Sequence, residues 1–542
     1  MRAFEQYGVA AILALGVVLL GISVPHHGEF WWSDAPRHAL NGVFVKDLVT
    51  AMPIDDPVGY ATRYYLQYPA LTILFYPPLF YAVSAPFYAI FGVSHMTALL
   101  VVLLHDFAFA MGLYALARRS VDVWIALAVA LCGLAAPGIA LWGRQIMLEL
   151  PALAYAVWGM VLMRRYADAS KPGYLYGGAF LLLCGVYTKI TVAFLAPVAA
   201  VMLWVALGNA LWRNRHTWIV AALFAVGLVP IIFLTLKFGQ ANVESVTGIA
   251  DAQVARNSLG AYLWYAQQLP EQLWWPVLGA AIAWPVVVLL RRGKPGMPYA
   301  DLTMLLGWFI IGYVFFSLID LKEARHSTLI LPPLLIVAGV AIARLLPLNA
   351  ARGVAVCMVA ATAFYTARYV PVPSVAGYAE AANWIAAHAP KDAVIMFSGK
   401  RDGSFVFNLR ADENRRDITT IRSDKLLLDV SVRRELGVKE KNLSTDEIGA
   451  MLNCYGISYA VAQTDFWTDL TEMARLQQVL RADGFEEVAR IPIVANVPTE
   501  DKELRIYRNL HPAAAGAALT INLPIIGRSI EGTVGQAGNS QK

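Results

Sequence analysis

Between Phe315 and Pro333 the chain reads FFSLIDLKEARHSTLILPP, setting Lys322, Glu323, Arg325 and His326 between two apolar runs. Charge at the edge of a bilayer is costly unless it has a partner or a task. Two cations this close can converge on one anion, Arg matching phosphate oxygens in geometry and Lys acting as a point charge. The plainer reading is that these basic residues snorkel and pair with Glu323 or Asp320. A second cluster lies in WWSDAPRHALNGVFVKDL, Trp31 to Leu48. Asp34 there is either a cap for the following helix, with Pro36 in its first turn, or a base able to take a proton from a hydroxyl. Glu149, in GRQIMLELP, is a further acid with Arg144 as a candidate partner, and Lys189, in GVYTKIT, adds a cation.

These residues need elements that bring them to one place. The 542 residues are 58% hydrophobic and only 15% charged, with a mean hydropathy of +0.54. A soluble surface needs roughly a quarter of its residues charged, so most of this surface faces lipid. Span-length apolar runs occur at 8–24, 96–117, 121–140, 145–163, 190–207, 216–236, 272–290, 301–319, 327–346 and 353–370, with a shorter one at 174–188. The first is read as an uncleaved span, since no small-residue cleavage site follows it. Arg118-Arg119, Arg164-Arg165, Arg213–Arg215 and Arg291-Arg292-Lys294 share one face if 174–188 and 190–207 both cross. That path has eleven crossings, and the apolar segment 72–92 leaves room for up to thirteen. The 26–70 loop, Glu149, Lys189 and the 321–326 turn then meet on the opposite face as a polar cavity. Ala39, Leu40, Val43, Phe44 and Leu48 make a stripe that would lay the 34–48 helix on the membrane surface, with Trp31 and Trp32 in an interface belt. The short basic pairs orient the spans and give no sign of nucleic-acid binding. Cys132, Cys184, Cys357 and Cys454 show no disulfide or metal-ligand spacing.

Composition changes near 371. Helical spacing at 378–388, 445–452 and 470–482 alternates with strand patterns at 394–397, 417–421, 457–462, 487–491 and 504–507. The expected organisation is a membrane domain at 1–370, an external α/β domain at 371–511 and a flexible tail at 512–542. Ser398-Gly399-Lys400 lacks the rest of a phosphate-loop motif.

Five segments taken in order resemble the bacterial GT-C class membrane glycosyltransferases, family 39-like, relatives of protein O-mannosyltransferase and of the aminoarabinose transferase of lipid A. They are WSDAPRH from Trp32, YPPLFY from Tyr76, GRQIMLELP from Gly143, GVYTK from Gly185, and FFSLIDLKEARH from Phe315 running on to ILPP. The resemblance implies a polytopic α-helical fold with a C-terminal periplasmic α/β domain in the bacterial inner membrane. Asp34 would then be the catalytic base or the group orienting the acceptor, and Glu149 a second acid. Lys322 and Arg325, with Arg37, His326 and Lys189, would hold the donor phosphate. Ala35 stands where the family usually has Glu, His38 and His326 where Tyr is common, and Glu149 where Asp is usual. Those departures bear on metal binding, so a divalent metal stays an open question.

The implied reaction moves a sugar from a polyprenyl-phosphate donor to a periplasmic glycan, lipid or protein acceptor, with inversion. A related reading modifies lipid A or another envelope lipid with an amino sugar. A transporter or flippase is a different class, and it usually shows a repeated span pattern, which this chain lacks.

Overall fold

The computed structural model describes residues 4–239, 254, 258–290, 292–430, 434, 437–514, 516, 518–523 and 528–533. Most of 240–257, Arg291 of the basic cluster and the residues after 533 lie outside the described residues.

Helix follows helix up to Tyr369, beginning with α1 (Val9–Ile22), α2 (Asp34–Ala51), α3 (Pro57–Gln67) and α4 (Leu79–Phe91). Six helical stretches are long and apolar enough to cross a membrane: His95–Ala117, Ile190–Leu207, Arg215–Phe238, Tyr299–Ser317, Ala324–Leu345 and Leu348–Tyr369. Val123–Ala135 and Pro137–Gly143 make a seventh if the 63° bend between them falls inside one span. The chain is therefore a multi-pass α-helical membrane protein with a strand-containing C-terminal domain. By length and composition the described spans number six or seven, and proline divides two of the expected apolar runs, 121–140 and 272–290. Pro137 opens the second half of the bent pair, and Pro276 and Pro285 open the two short helices that occupy 272–290. A helix-interior proline removes a hydrogen bond and clashes one turn back.

The apolar stripe of α2 is covered by protein, where lipid was expected. Ala39, Leu40, Val43 and Phe44 are buried in protein, and α2 packs along α4. Gly42 permits this approach, since a Cβ there would fall 2.9 Å from the Tyr88 ring. Nor are the tryptophans a free belt. Trp31 lies under the Arg401 guanidinium at 4.7 Å, and Trp32 packs on Trp142.

The C-terminal domain is built on a five-stranded sheet ordered Thr419–Arg422, Val394–Ser398, Ile457–Ala462, Glu503–Asn509 and Phe485–Pro492. The first three strands are parallel and the rest antiparallel. Val394–Ser398 is buried throughout, as a strand covered on both faces must be. One helix here, Asp402–Ala411, was not expected. The 512–542 segment differs too: Ala518–Leu523 and Arg528–Thr533 pair as an antiparallel hairpin, and Ile521 is buried in the same apolar cluster as Leu66 of α3.

Candidate active site

The 318–330 segment forms a bend between two spans and a short 3-10 turn, Ala324–Ile330, before Pro332 and Pro333 start the next helix. Gln272 donates to the Ala324 carbonyl and accepts from Ser327 Oγ, while Trp308 Nε1 donates to the Leu329 carbonyl at 2.7 Å. Thus pinned, the turn aims Arg325 at α2. Arg325 Nη1 donates to Asp34 Oδ2 at 3.0 Å, and its Nε pairs with Glu323. Ser33 precedes the helix without capping it through its side chain, and the Asp34 carboxylate turns to Arg325. Asp34 is therefore committed to a distant cation, unlike a simple cap.

Glu149 opens the Glu149–Ala169 helix and is buried. Its Oε1 accepts from Lys189 Nζ at 2.8 Å, and its Oε2 is buried without a hydrogen-bond partner. The expected partner Arg144 goes elsewhere, donating to the carbonyls of Ala140 and Val370 and to Ser23 Oγ. His38, one turn after Asp34, meets Tyr81 through Nδ1 at 2.9 Å. Burial takes its imidazole down to about 4, so it is neutral at pH 7. His326 pairs loosely with Glu323 at 3.9 Å and leaves Nδ1 buried without a partner. Tyr76, from the YPPLFY run, packs edge-on against His38 at 4.8 Å.

Burial alone would push the Asp34 carboxyl up. The charge and hydrogen bond of Arg325 outweigh this, with Arg37 adding to them, and hold it below its ordinary range. The cluster thus joins an ionised acid with spare acceptor capacity, a buried second acid and two cations from separate spans.

Two expected members are not in this cluster. Lys322 Nζ folds back onto carbonyls at and just past the end of Tyr299–Ser317, 2.6 Å from both Ser317 O and Ile319 O, and lies over the Tyr265 ring. A cation there satisfies carbonyls that a helix end leaves open. Arg37 turns away to Asp402 of the C-terminal domain. Tyr76, Tyr81, Gln272 and Trp308 escaped sequence reasoning, although YPPLFY already placed two of them near a bend. Among the described residues no three His, Cys, Asp or Glu side chains gather as metal ligands. The two acids of the cluster each face a cation, Asp34 meeting Arg325 and Glu149 meeting Lys189.

Residues 76–233 match the family model described as dolichyl-phosphate-mannose-protein mannosyltransferase. No curated protein sequence matches the chain. Among solved structures, ArnT from Cupriavidus metallidurans bound to undecaprenyl phosphate is similar with a TM-score of 0.63 at 16% identity, over 94% of this chain and 99% of that one. The apo state of that protein gives 0.60 at 16% identity, over 92% and 99%. The Archaeoglobus fulgidus oligosaccharyltransferase in its apo form gives 0.55 at 12% identity, over 86% of this chain and 70% of that one. The chain has the GT-C fold, and the resemblance to GT-C glycosyltransferases drawn from its motifs is borne out.

Proposed function

We propose that this chain is a GT-C glycosyltransferase that takes a sugar from a polyprenyl-phosphate donor and passes it to a hydroxyl on a periplasmic glycan, lipid or protein, working in the bacterial inner membrane. The observation that carries the reading is the Asp34–Arg325 pair, set beside Glu149–Lys189 within that fold. It is supported by neighbours of the same fold whose structures hold undecaprenyl phosphate and dolichol-phosphate. Asp34 accepts the acceptor's proton as its oxygen attacks the anomeric carbon. A new carbon–oxygen bond forms on one face, the bond to the phosphate oxygen breaks on the other, and the electron pair leaves with polyprenyl phosphate. The configuration therefore inverts.

Arg325 offers five N–H donors, enough to keep Glu323 and Asp34 while reaching a phosphate. Lys189 supplies a second charge, and Glu149 a buried acceptor beside it. Lys322 serves the turn that carries Arg325, and Arg37 serves α2. A membrane domain at 1–370 and a periplasmic domain at 371–511 are part of this proposal.

The test is transfer by purified Asp34→Asn, with lipid-linked sugars from native membranes as donor and wild type as control. A positioned base contributes about 10²–10⁴-fold, and a loss of that size with intact folding is expected. Because Arg325 depresses the Asp34 carboxyl, wild-type turnover should hold down to the ordinary carboxylate range and fall only below it. Wild-type rates in Asp34→Asn would remove Asp34 from the reaction.

A further inference from the structure

The α2 helix is gripped from two sides. Toward the bundle, Asp34 meets Arg325, His38 meets Tyr81, and Asn41 exchanges two hydrogen bonds with Thr72 at 3.1 and 2.9 Å. Toward the C-terminal domain, Arg37 Nη2 reaches both oxygens of Asp402 at 2.9 and 3.0 Å. Arg422 Nη1 holds the same carboxylate at 3.0 Å. Asp402 opens the helix that follows strand Val394–Ser398, and Arg422 ends the neighbouring parallel strand. This is the carboxyl edge of the parallel strands, the place where open α/β sheets bind ligands. Here the first turn of α2 sits on it. A Cβ on Gly403 would fall 3.0 Å from Pro36 Cγ and 3.3 Å from Arg37 Nη1, so the two helix starts are in close contact.

Arg37 also fixes the start of α2 itself. Its Nη1 donates to the Ser33 carbonyl at 2.7 Å, beside a helix start that has no side-chain cap. The residue next to that carbonyl is Asp34. The backbone that aims the acid is thus tied, through one guanidinium, to a carboxylate 365 positions along the chain.

We infer that the sheet edge of the C-terminal domain serves as a receptor for α2, and that Arg37 and Asp402 are positioning residues that set Asp34 for transfer. The inference rests on the proposed role of Asp34. It gives the C-terminal domain a part in the reaction without contact with donor or acceptor. It also removes Arg37 from the phosphate.

Arg37→Ala, Asp402→Ala and the double variant of the full chain separate these roles. Turnover is measured with native lipid-linked sugars, and binding with undecaprenyl phosphate as probe. Misaiming a reacting group costs on the order of 10- to 100-fold, so each single variant should lose about tenfold in turnover. The double variant should lose no more than either single one, because both break the same link. Undecaprenyl phosphate affinity should change less than about twofold, a split that simple unfolding would not give. Should either alanine variant misfold, Arg37→Lys and Asp402→Asn replace them, with Arg37→Lys keeping part of the activity through its charge. Two results overturn the inference: wild-type turnover in the folded variants, or loss of undecaprenyl phosphate binding in Arg37→Ala but not in Asp402→Ala. Activity of Asp34→Asn would instead overturn the reading beneath it.

Discussion

Two ion pairs on α2 look alike by distance and differ in what they leave over. Asp34 meets Arg325 at 3.0 Å, and Asp47 meets Arg410 at 2.6 Å. Asp47 is saturated with donors on one oxygen and with charge on the other: Arg410 donates twice to Oδ2, Tyr64 donates to it at 2.9 Å, and Lys46 and Arg416 face Oδ1 at 3.4 and 3.7 Å. Its side chain is 2% exposed and that of Arg410 is fully buried, whereas Asp34 and Arg325 keep 24% and 18%. A buried carboxylate ringed by three cations is not available to take a proton from a substrate. One that accepts a single charged donor and stays part-exposed can. The contrast separates charges that hold two domains together from charges available for chemistry.

The largest effect belongs to the saturated pair. Arg410→Gln leaves the buried Asp47 carboxylate with Tyr64 and the looser cations Lys46 and Arg416, and breaking such a pair costs about 3–5 kcal/mol. Denaturation of the purified protein in detergent should show that loss. Replacing both partners by apolar residues, Asp47→Leu with Arg410→Met, should recover most of it, since a buried pair often adds little beyond a packed apolar contact. If Arg410→Gln is as stable as wild type, the pair does not hold the domains and the contrast with Asp34 fails.

Next comes the open pair, which should fail in the opposite way. Arg325→Gln removes the cation that the proposal places at the leaving phosphate, and losing one such preorganised group costs roughly 10²–10³-fold in turnover. The protein should stay folded, because Asp34 is exposed enough to be solvated once its partner is gone. A stability loss as large as that of Arg410→Gln would make Arg325 a structural residue.

The sequence carried one side of this contrast and hid the other. Asp34, Glu149, Lys189 and Arg325 were legible because charge at the ends of apolar runs is rare enough to demand an explanation. Their pairing could be read only coarsely: Glu149 chose Lys189, 40 residues on, over Arg144 five residues away. Arg37 and Lys322 carry the same charge in the same neighbourhoods, yet one is drawn to Asp402 and the other to helix-end carbonyls. No local pattern distinguishes those fates. The helix DGSFVFNLRA stood outside the expected elements, and its formation rests on burying Phe405, Val406, Phe407 and Leu409. The α2 stripe was read correctly as apolar and assigned to the wrong neighbour. Periodicity identifies a buried face without saying whether lipid or protein covers it.

The smallest effect tests where the saturated interface ends. Lys46 bonds Glu413 at 2.9 Å, and Glu413 keeps 45% of its side chain exposed. A pair with one partner in water is screened by salt and contributes about 0–1 kcal/mol. Lys46→Ala should therefore lower stability by no more than that, and by less at high salt. Lys46 also stands near Asp47 Oδ1, but Arg416 faces the same oxygen at 3.7 Å, so removing Lys46 leaves no acceptor stranded. A loss of several kcal/mol, insensitive to salt, would mean that Lys46 belongs to the buried network and that saturation of Asp47 depends on it as well as on Arg410, Tyr64 and Arg416.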